Sequence, residues 1–281
     1  MLNPAPEIRF RESRDGYLLA SRVWDTDDPL AEVLFLHGIV SHGGWYLASC
    51  QFLATHQFRV HVLDRRGSGL NERQRGHVDR WETWLEDVEN YFDTFTGSAP
   101  RLLLGVSWGG ILATALARRN GTTISGLGLL CPGLFPRQAA NVFQRVAPRM
   151  ACGLGLRKPR VAIPLRDPAL FTNSTQGQAY VGKDPLALRE ITLSFAVENQ
   201  KLVRYATQNP EDIHVPSLLM LAGKDAIVDN AKTRNFFKRI SHPKRTIIEY
   251  PEASHTLEFE PDPTRYFQDL TRWCRNIAEV M

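Results

Sequence analysis

The sequence predicts an α/β fold, a mostly parallel central sheet with helices on both faces. Three observations predict it. Short apolar runs of strand character alternate with helical stripes from Glu32 to Cys131 and again from Ser217 to the C-terminus. The run Leu102-Leu103-Leu104 reads as a strand buried on both sides, as parallel sheets require. From Gly133 to about Pro210 the alternation fails and gives way to amphipathic pieces and several prolines. A structureless loop of that length inside a compact domain would be unusual, so this stretch is expected to be an inserted helical cap. The expected division is core over 1–132, cap over 133–210 and core over 211–281.

The elements follow in order. Ile8 to Trp24, with Asp15-Gly16 between two alternating segments, reads as an antiparallel hairpin. Glu32 to Leu36 is a strand, and it ends in His37-Gly38-Ile39 and a polar loop to Gly44. A helix from Tyr46 to His56 precedes the strand Arg59 to Leu63, which opens into Asp64-Arg65-Arg66-Gly67-Ser68-Gly69. That loop lacks a Walker lysine and a dinucleotide fingerprint, so it reads as structural and not as a phosphate cradle. The stripe Trp81, Trp84, Leu85, Val88, Tyr91, Phe92 and Phe95 has helical spacing and is expected to pack in the core. Ile124 to Cys131 is a further strand. The cap carries apolar residues expected to be exposed: Phe135, Phe143, Phe171, Leu193 and Phe195. Beyond it come a strand from Ser217 to Ala222, a helix from Ala231 to Ile240, a strand from Arg245 to Tyr250, and a last helix from about Pro263 to Val280.

Chemistry enters at Gly105-Val106-Ser107-Trp108-Gly109, between the Leu102 strand and a helix expected from Ile111 to Ala117 and ending at Arg118-Arg119-Asn120-Gly121. Glycines two before and two after a serine leave room for a sharp strand-to-helix turn that holds the hydroxyl out at the sheet's C-terminal edge. The following helix aims its unpaired N–H groups at the reacting centre.

Composition excludes several other classes. The chain has 281 residues, 43% hydrophobic and 23% charged, with a net charge of +4 from arginines scattered along its length. Without a basic block, nucleic acid is not expected as a partner. The charged N-terminus lacks the apolar core of a signal peptide, and the most apolar window, Leu102 to Ala117, is shorter than a membrane span. A cytoplasmic protein is expected, with no more than weak membrane-surface contact through the cap. Cys50, Cys131, Cys152 and Cys274 lie far apart and are expected to be reduced, with no zinc spacing.

A serine hydroxyl needs an adjacent base, itself oriented by a third group. His42, His56, His61, His77, His214 and His242 fall in loops, helix ends or strand starts away from the required edge. His37 is a rival base that reads better as a loop-shaping residue. His255 lies just beyond the strand ending at Tyr250, so it emerges at the same sheet edge as Ser107. Asp225 follows the strand ending at Ala222 in the corresponding way, with Asp229 as runner-up closer to the next helix. The backbone N–H groups of Ile39 and Trp108 are the expected oxyanion donors. No metal or organic cofactor is needed for such chemistry.

The order Ser107, Asp225, His255 is that of a triad built on an α/β-hydrolase sheet. The chain resembles that superfamily, and within it the monoacylglycerol lipase and lysophospholipase group of serine hydrolases. The resemblance rests on Leu36-His37-Gly38, His42-Gly43-Gly44-Trp45-Tyr46, the Asp64 to Gly69 loop, Gly76-His77-Val78 and the Ser107 turn. It continues through Val215-Pro216, Gly223-Lys224-Asp225, Ala253 to Glu260 and Trp273. Ser68 stands where the group usually has histidine, and Asn71 where it has serine. The resemblance implies an α/β-hydrolase fold and hydrolysis of a small ester or lipid-like substrate through an acyl-enzyme. Aminopeptidase activity of the proline-iminopeptidase type is the alternative. A non-catalytic binding protein on this fold would be expected to lack a triad member, and all three are present.

Overall fold

The structure, a computed structural model, describes residues 5–119, 123–138 and 142–279, without the side chains of Val142 and Phe143. Asn120, Gly121 and Val280, which bound two expected helices, and the Phe143 side chain lie outside the described part.

Among the described residues, ten strands form two sheets. In chain order they are β1 Glu7–Glu12, β2 Leu18–Trp24, β3 Ala31–Leu36, β4 Phe58–Leu63, β5 Arg101–Val106, β6 Gly126–Leu130, β7 Arg160–Ala162, β8 Glu190–Thr192, β9 Ser217–Ala222 and β10 Arg245–Tyr250. The central sheet has the order β1-β2-β4-β3-β5-β6-β9-β10. β1 and β2 are antiparallel and join β4 at one edge, and from β4 to β10 every pairing is parallel. β9 and β3, apolar but for Ser217 and Glu32, are buried at every position, which explains why they lack alternation: both of their faces are covered.

The helices are α1 Leu47–Ala54, α2 Glu82–Phe92, α3 Trp108–Ala117, α4 Val142–Gly153, α5 Thr175–Lys183, α6 Leu193–Thr207, α7 Asn230–Lys238 and α8 Thr264–Ala278. In α8 the buried Tyr266, Leu270, Trp273, Cys274 and Ile277 recur at helical spacing and form one stripe. Trp273 reaches the sheet beside Gly126 and Gly128 of β6. α8 packs with α1, while α3 packs with α2 and α6. The stripe running through α2 is core, as expected: Trp84, Leu85, Val88, Tyr91, Phe92 and Phe95 are buried, and Trp81, ahead of α2, is half-buried against them. None of the helices among the described residues is long and apolar enough to cross a membrane. Cys50, Cys131 and Cys274 are buried and Cys152 half-buried, all four free.

Between β6 and β9 lie α4, α5 and α6, together with a feature not expected from the sequence, the antiparallel pair β7-β8. The expectation that this segment's apolar residues are exposed needs correction. Phe195 is fully buried, Phe171 is 5% exposed, and Leu193 and Phe135 are half-buried. Phe195 instead stacks against Trp84 and Trp108, with centroids 4.8 and 6.3 Å away, which fastens α6 to α2 and α3. Among the described residues, the segment's exposed large apolar side chains are Val146, Met150, Leu154, Leu156, Val161 and Tyr180.

Candidate active site

β5 ends at Val106 and α3 begins at Trp108, leaving Ser107 alone to reverse the chain. It does so at φ 51° and ψ −116°, a conformation a serine adopts only under constraint. The surroundings supply that constraint. Ser107 N–H donates to the Leu130 carbonyl at 3.0 Å, and its carbonyl accepts from Gly110 N at 3.0 Å and Gly133 N at 2.7 Å. A Cβ on Gly105 would collide with the Gly109 carbonyl, and one on Gly109 with the Leu36 carbonyl. The two glycines of the pentapeptide therefore permit close approach on both sides of the turn.

Ser107 is half-buried, with its hydroxyl 3.0 Å from His255 Nε2. His255 Nδ1 lies 2.8 Å from Asp225 Oδ2. Asp225 Oδ1 accepts from the N–H groups of Ile227 and Val228 at 2.8 and 2.9 Å, which holds the carboxylate in one orientation. An ionised Asp225 can only accept, so Nδ1 carries the ring proton and Nε2 is left to accept from the serine hydroxyl. Asp225 and His255 are 1% and 2% exposed, which keeps water from competing for these bonds. The loops after β9 and β10 hold them there: Lys224 N–H donates to Ala253 O at 2.9 Å, and Thr256 N–H to Phe171 O at 2.8 Å.

The competing residues are occupied elsewhere. Asp229 caps α7, accepting from Lys232 N at 3.0 Å, and pairs with the Lys232 ammonium. His37 donates from Nδ1 to Gly38 O at 2.7 Å and accepts at Nε2 from Arg65 N at 2.9 Å. Burial pushes its pKa down to about 3, so it stays neutral and shapes the loop. His61 bonds to Tyr91 Oη and His77 to Thr192 Oγ1.

The Gly38-Ile39 loop passes over the serine: a Cβ on Gly38 would sit 3.4 Å from Ser107 Cβ. Ile39 is half-buried beside it, and Trp108 opens α3, whose first N–H groups have no partner within the helix. Aromatic rings cluster beside His255. Phe171 stands 6.3 Å from His255, and Trp45 lies 5.6 Å from Phe171 and 5.5 Å from Phe259.

Asp184 had no signal in the sequence, because its partners lie about 140 positions away in the chain. Its Oδ2 accepts from Trp45 Nε1 at 2.6 Å and His42 Nε2 at 3.0 Å, and its Oδ1 from Leu186 N at 2.9 Å. Burial alone would raise this carboxyl, but the His42 and Trp45 hydrogen bonds outweigh it and hold the pKa at about 2. The bonds tie the segment between β6 and β9 to the loop after β3.

Glu258, three residues beyond His255, is 9% exposed, and its Oε1 accepts from Ser49 N at 2.9 Å at the start of α1. Burial raises its pKa from 4.5 to about 7. The folded protein therefore binds a proton here that the unfolded chain has released, and the associated stability is full below about 4.5 and lost as pH rises through about 7. Glu258→Gln keeps the acceptor and removes the titration. Its Tm is expected to match wild type near pH 5 and exceed it by roughly a few degrees at pH 8. Thermal unfolding across that range checks this, and a Tm difference independent of pH would contradict it.

Comparison with known proteins agrees with this fold. The chain is 25% identical over 279 residues to human monoglyceride lipase, covering 96% of this chain and 91% of that one. It is also 25% identical over 252 residues to phospholipase YtpA of Bacillus subtilis, covering 87% and 95%. Among solved structures, the monoacylglycerol lipase of Paleococcus ferrophilus superposes with a TM-score of 0.84 at 21% identity, over 92% of this chain and 99% of that one. A soluble variant of monoglyceride lipase from Saccharomyces cerevisiae, in complex with a substrate analogue, gives 0.84 at 20% identity over 98% and 96%. The family model described as serine aminopeptidase, S33, matches residues 27–262, and the chain belongs to this α/β-hydrolase family.

Proposed function

We propose that the protein is a serine hydrolase of carboxylic esters with a hydrophobic acyl group, of the monoacylglycerol or lysophospholipid type. The observation that carries this reading is the continuous series Asp225, His255, Ser107, bonded at 2.8 and 3.0 Å and ending on a hydroxyl in a strained turn. In this reading His255 Nε2 takes the Ser107 proton as Oγ attacks the ester carbonyl. The N–H groups of Ile39 and Trp108 stabilise the oxyanion of the tetrahedral intermediate. Collapse breaks the ester C–O bond, and the departing alcohol takes the proton from His255. Water then attacks the acyl-enzyme, giving its proton to the same nitrogen, and the carboxylic acid leaves as Ser107 recovers its hydrogen.

The aromatic approach of Trp45, Phe171, Tyr180 and Phe259 suits an acyl chain, and the names of the relatives favour glycerol or phospholipid esters. Residues 133–210 act as the cap over this approach. The family description favours a second reading, release of an N-terminal amino acid. That activity requires a carboxylate free to bind an ammonium group. Asp184, which the segment brings to Trp45, already has both oxygens engaged. Turnover of medium-chain monoacylglycerols, lysophospholipids and prolyl amides by one preparation separates the two. Ester turnover with no amide turnover is expected, and the reverse would favour the aminopeptidase.

A further inference from the structure

Arg65 is buried at 5% exposure, yet among the described residues its guanidinium meets carbonyls and ring faces and no carboxylate. Nη1 donates to Gly38 O at 3.3 Å and Nη2 to Ile39 O at 3.1 Å. Its Cζ lies 4.5 Å from the centroid of the Trp108 ring and 5.5 Å from that of Phe195. One side chain therefore touches both residues whose N–H groups are assigned to the oxyanion. Burying a cation without a directly bonded anionic partner is costly, and cation–π attraction, the two carbonyls and the nearby charge of Asp64 offset it here. Its backbone is fixed as well. Arg65 N–H donates to His37 Nε2 at 2.9 Å, and its carbonyl accepts from Asn71 Nδ2 at 3.2 Å.

The peptide between Gly38 and Ile39 is planar and trans, so its N–H points opposite to its C=O. Whatever holds the Gly38 oxygen thereby aims the Ile39 N–H. That oxygen accepts from Arg65 and from His37 Nδ1, while the Gly38 Cα lies beside Ser107. We propose that Arg65 is a positioning residue of the oxyanion site: its guanidinium, seated on Trp108, locks the Gly38–Ile39 peptide with its N–H facing the space in front of the Ser107 hydroxyl. Without it the Gly38 oxygen keeps only the His37 bond and the Ile39 oxygen loses its guanidinium donor, so the peptide turns over more readily and presents a carbonyl to the developing oxyanion. A planar fork that holds two carbonyls while stacked on an indole is a task lysine performs only in part. The proposal rests on the serine-hydrolase reading above.

The test uses the full chain with a soluble short-chain p-nitrophenyl ester, each preparation normalised by titrating its active sites with a fluorophosphonate. Arg65→Met keeps the stem against Trp108 and Phe195 and removes the donors. It is expected to lower kcat on the order of a hundredfold, the scale of losing one oxyanion donor, with KM within about twofold. Affinity for a trifluoromethyl ketone, whose adduct places an oxyanion in the site, is expected to fall by a similar factor, and Arg65→Lys should recover part of both. A merely structural role would lower Tm and leave kcat per titrated site and ketone affinity unchanged. Wild-type values of both in folded Arg65→Met overturn the proposal, and if that variant does not fold, wild-type values in Arg65→Lys do so. The same result with Ser107→Ala inactive removes Arg65 alone. Activity retained in Ser107→Ala removes the reading beneath it.

Discussion

Replacing Ser107 by alanine is expected to lower kcat by at least about 10⁴-fold while leaving the fold intact. The expectation follows from what the hydroxyl does and where it sits. It is the terminal member of a hydrogen-bonded series whose other members are buried, so no neighbouring group can replace it as nucleophile. A loss of 10⁴ corresponds to about 5.4 kcal/mol of transition-state stabilisation. On the proposed reading, the acyl chain is held by Trp45, Phe171 and their aromatic neighbours and not by the hydroxyl, so KM should change little. Alanine is smaller than serine, and the turn is held through backbone bonds to Leu130, Gly110 and Gly133, so Tm should stay within a few degrees of wild type. Steady-state kinetics on a monoacylglycerol, with unfolding followed in parallel, checks both halves. A variant retaining a tenth or more of wild-type kcat would remove Ser107 from the chemistry.

Asp225→Asn is expected to cost about as much, for a different reason. The Asn oxygen would remain on the Ile227 and Val228 N–H groups, which now hold Oδ1 at 2.8 and 2.9 Å. Its amide NH₂ must then face His255 Nδ1. A donor there obliges Nδ1 to accept, which moves the ring proton to Nε2, where it confronts the Ser107 hydroxyl. The base is then in the wrong tautomer. A fall in kcat of about 10⁴ with an unchanged fold is expected. Asp229→Asn provides the contrast, since asparagine caps a helix as well as aspartate and Asp229 takes no part in the series. It should retain wild-type kinetics, and equal losses in the two variants would point to a generic disturbance of the loop after β9.

The central sheet and the Ser107, His255 and Asp225 set were legible because both depend on local pattern. A strand buried on both faces must be apolar throughout, as Leu102 to Leu104 is, and a residue just past such a strand emerges at the sheet's C-terminal edge. That rule, with the chain order, brings His255 and Asp225 to the edge where Ser107 stands, and the three side chains lie together there. What escaped the sequence depends on partners distant in the chain. β7 and β8 are three residues each, too short for alternation to register, and pair across a long separation. Phe171 and Phe195 looked exposed because they fall where the strand–helix alternation stops, but His255, Trp84 and Trp108 cover them from other elements. The bonds of Asp184 to His42 and Trp45, and of Arg65 to two backbone carbonyls, carry no periodic signal. A buried carbonyl acceptor leaves no trace in the residue type that bears it.

The central claim, that Ser107 is an activated nucleophile, is tested most directly by covalent labelling of the folded protein with a fluorophosphonate and mapping of the adduct by peptide mass spectrometry. The account predicts a single adduct on Ser107, in the tryptic peptide between Arg101 and Arg119, abolished in Ser107→Ala and slowed in Asp225→Asn. An adduct on another residue, or no adduct on protein that still turns over esters, would contradict it.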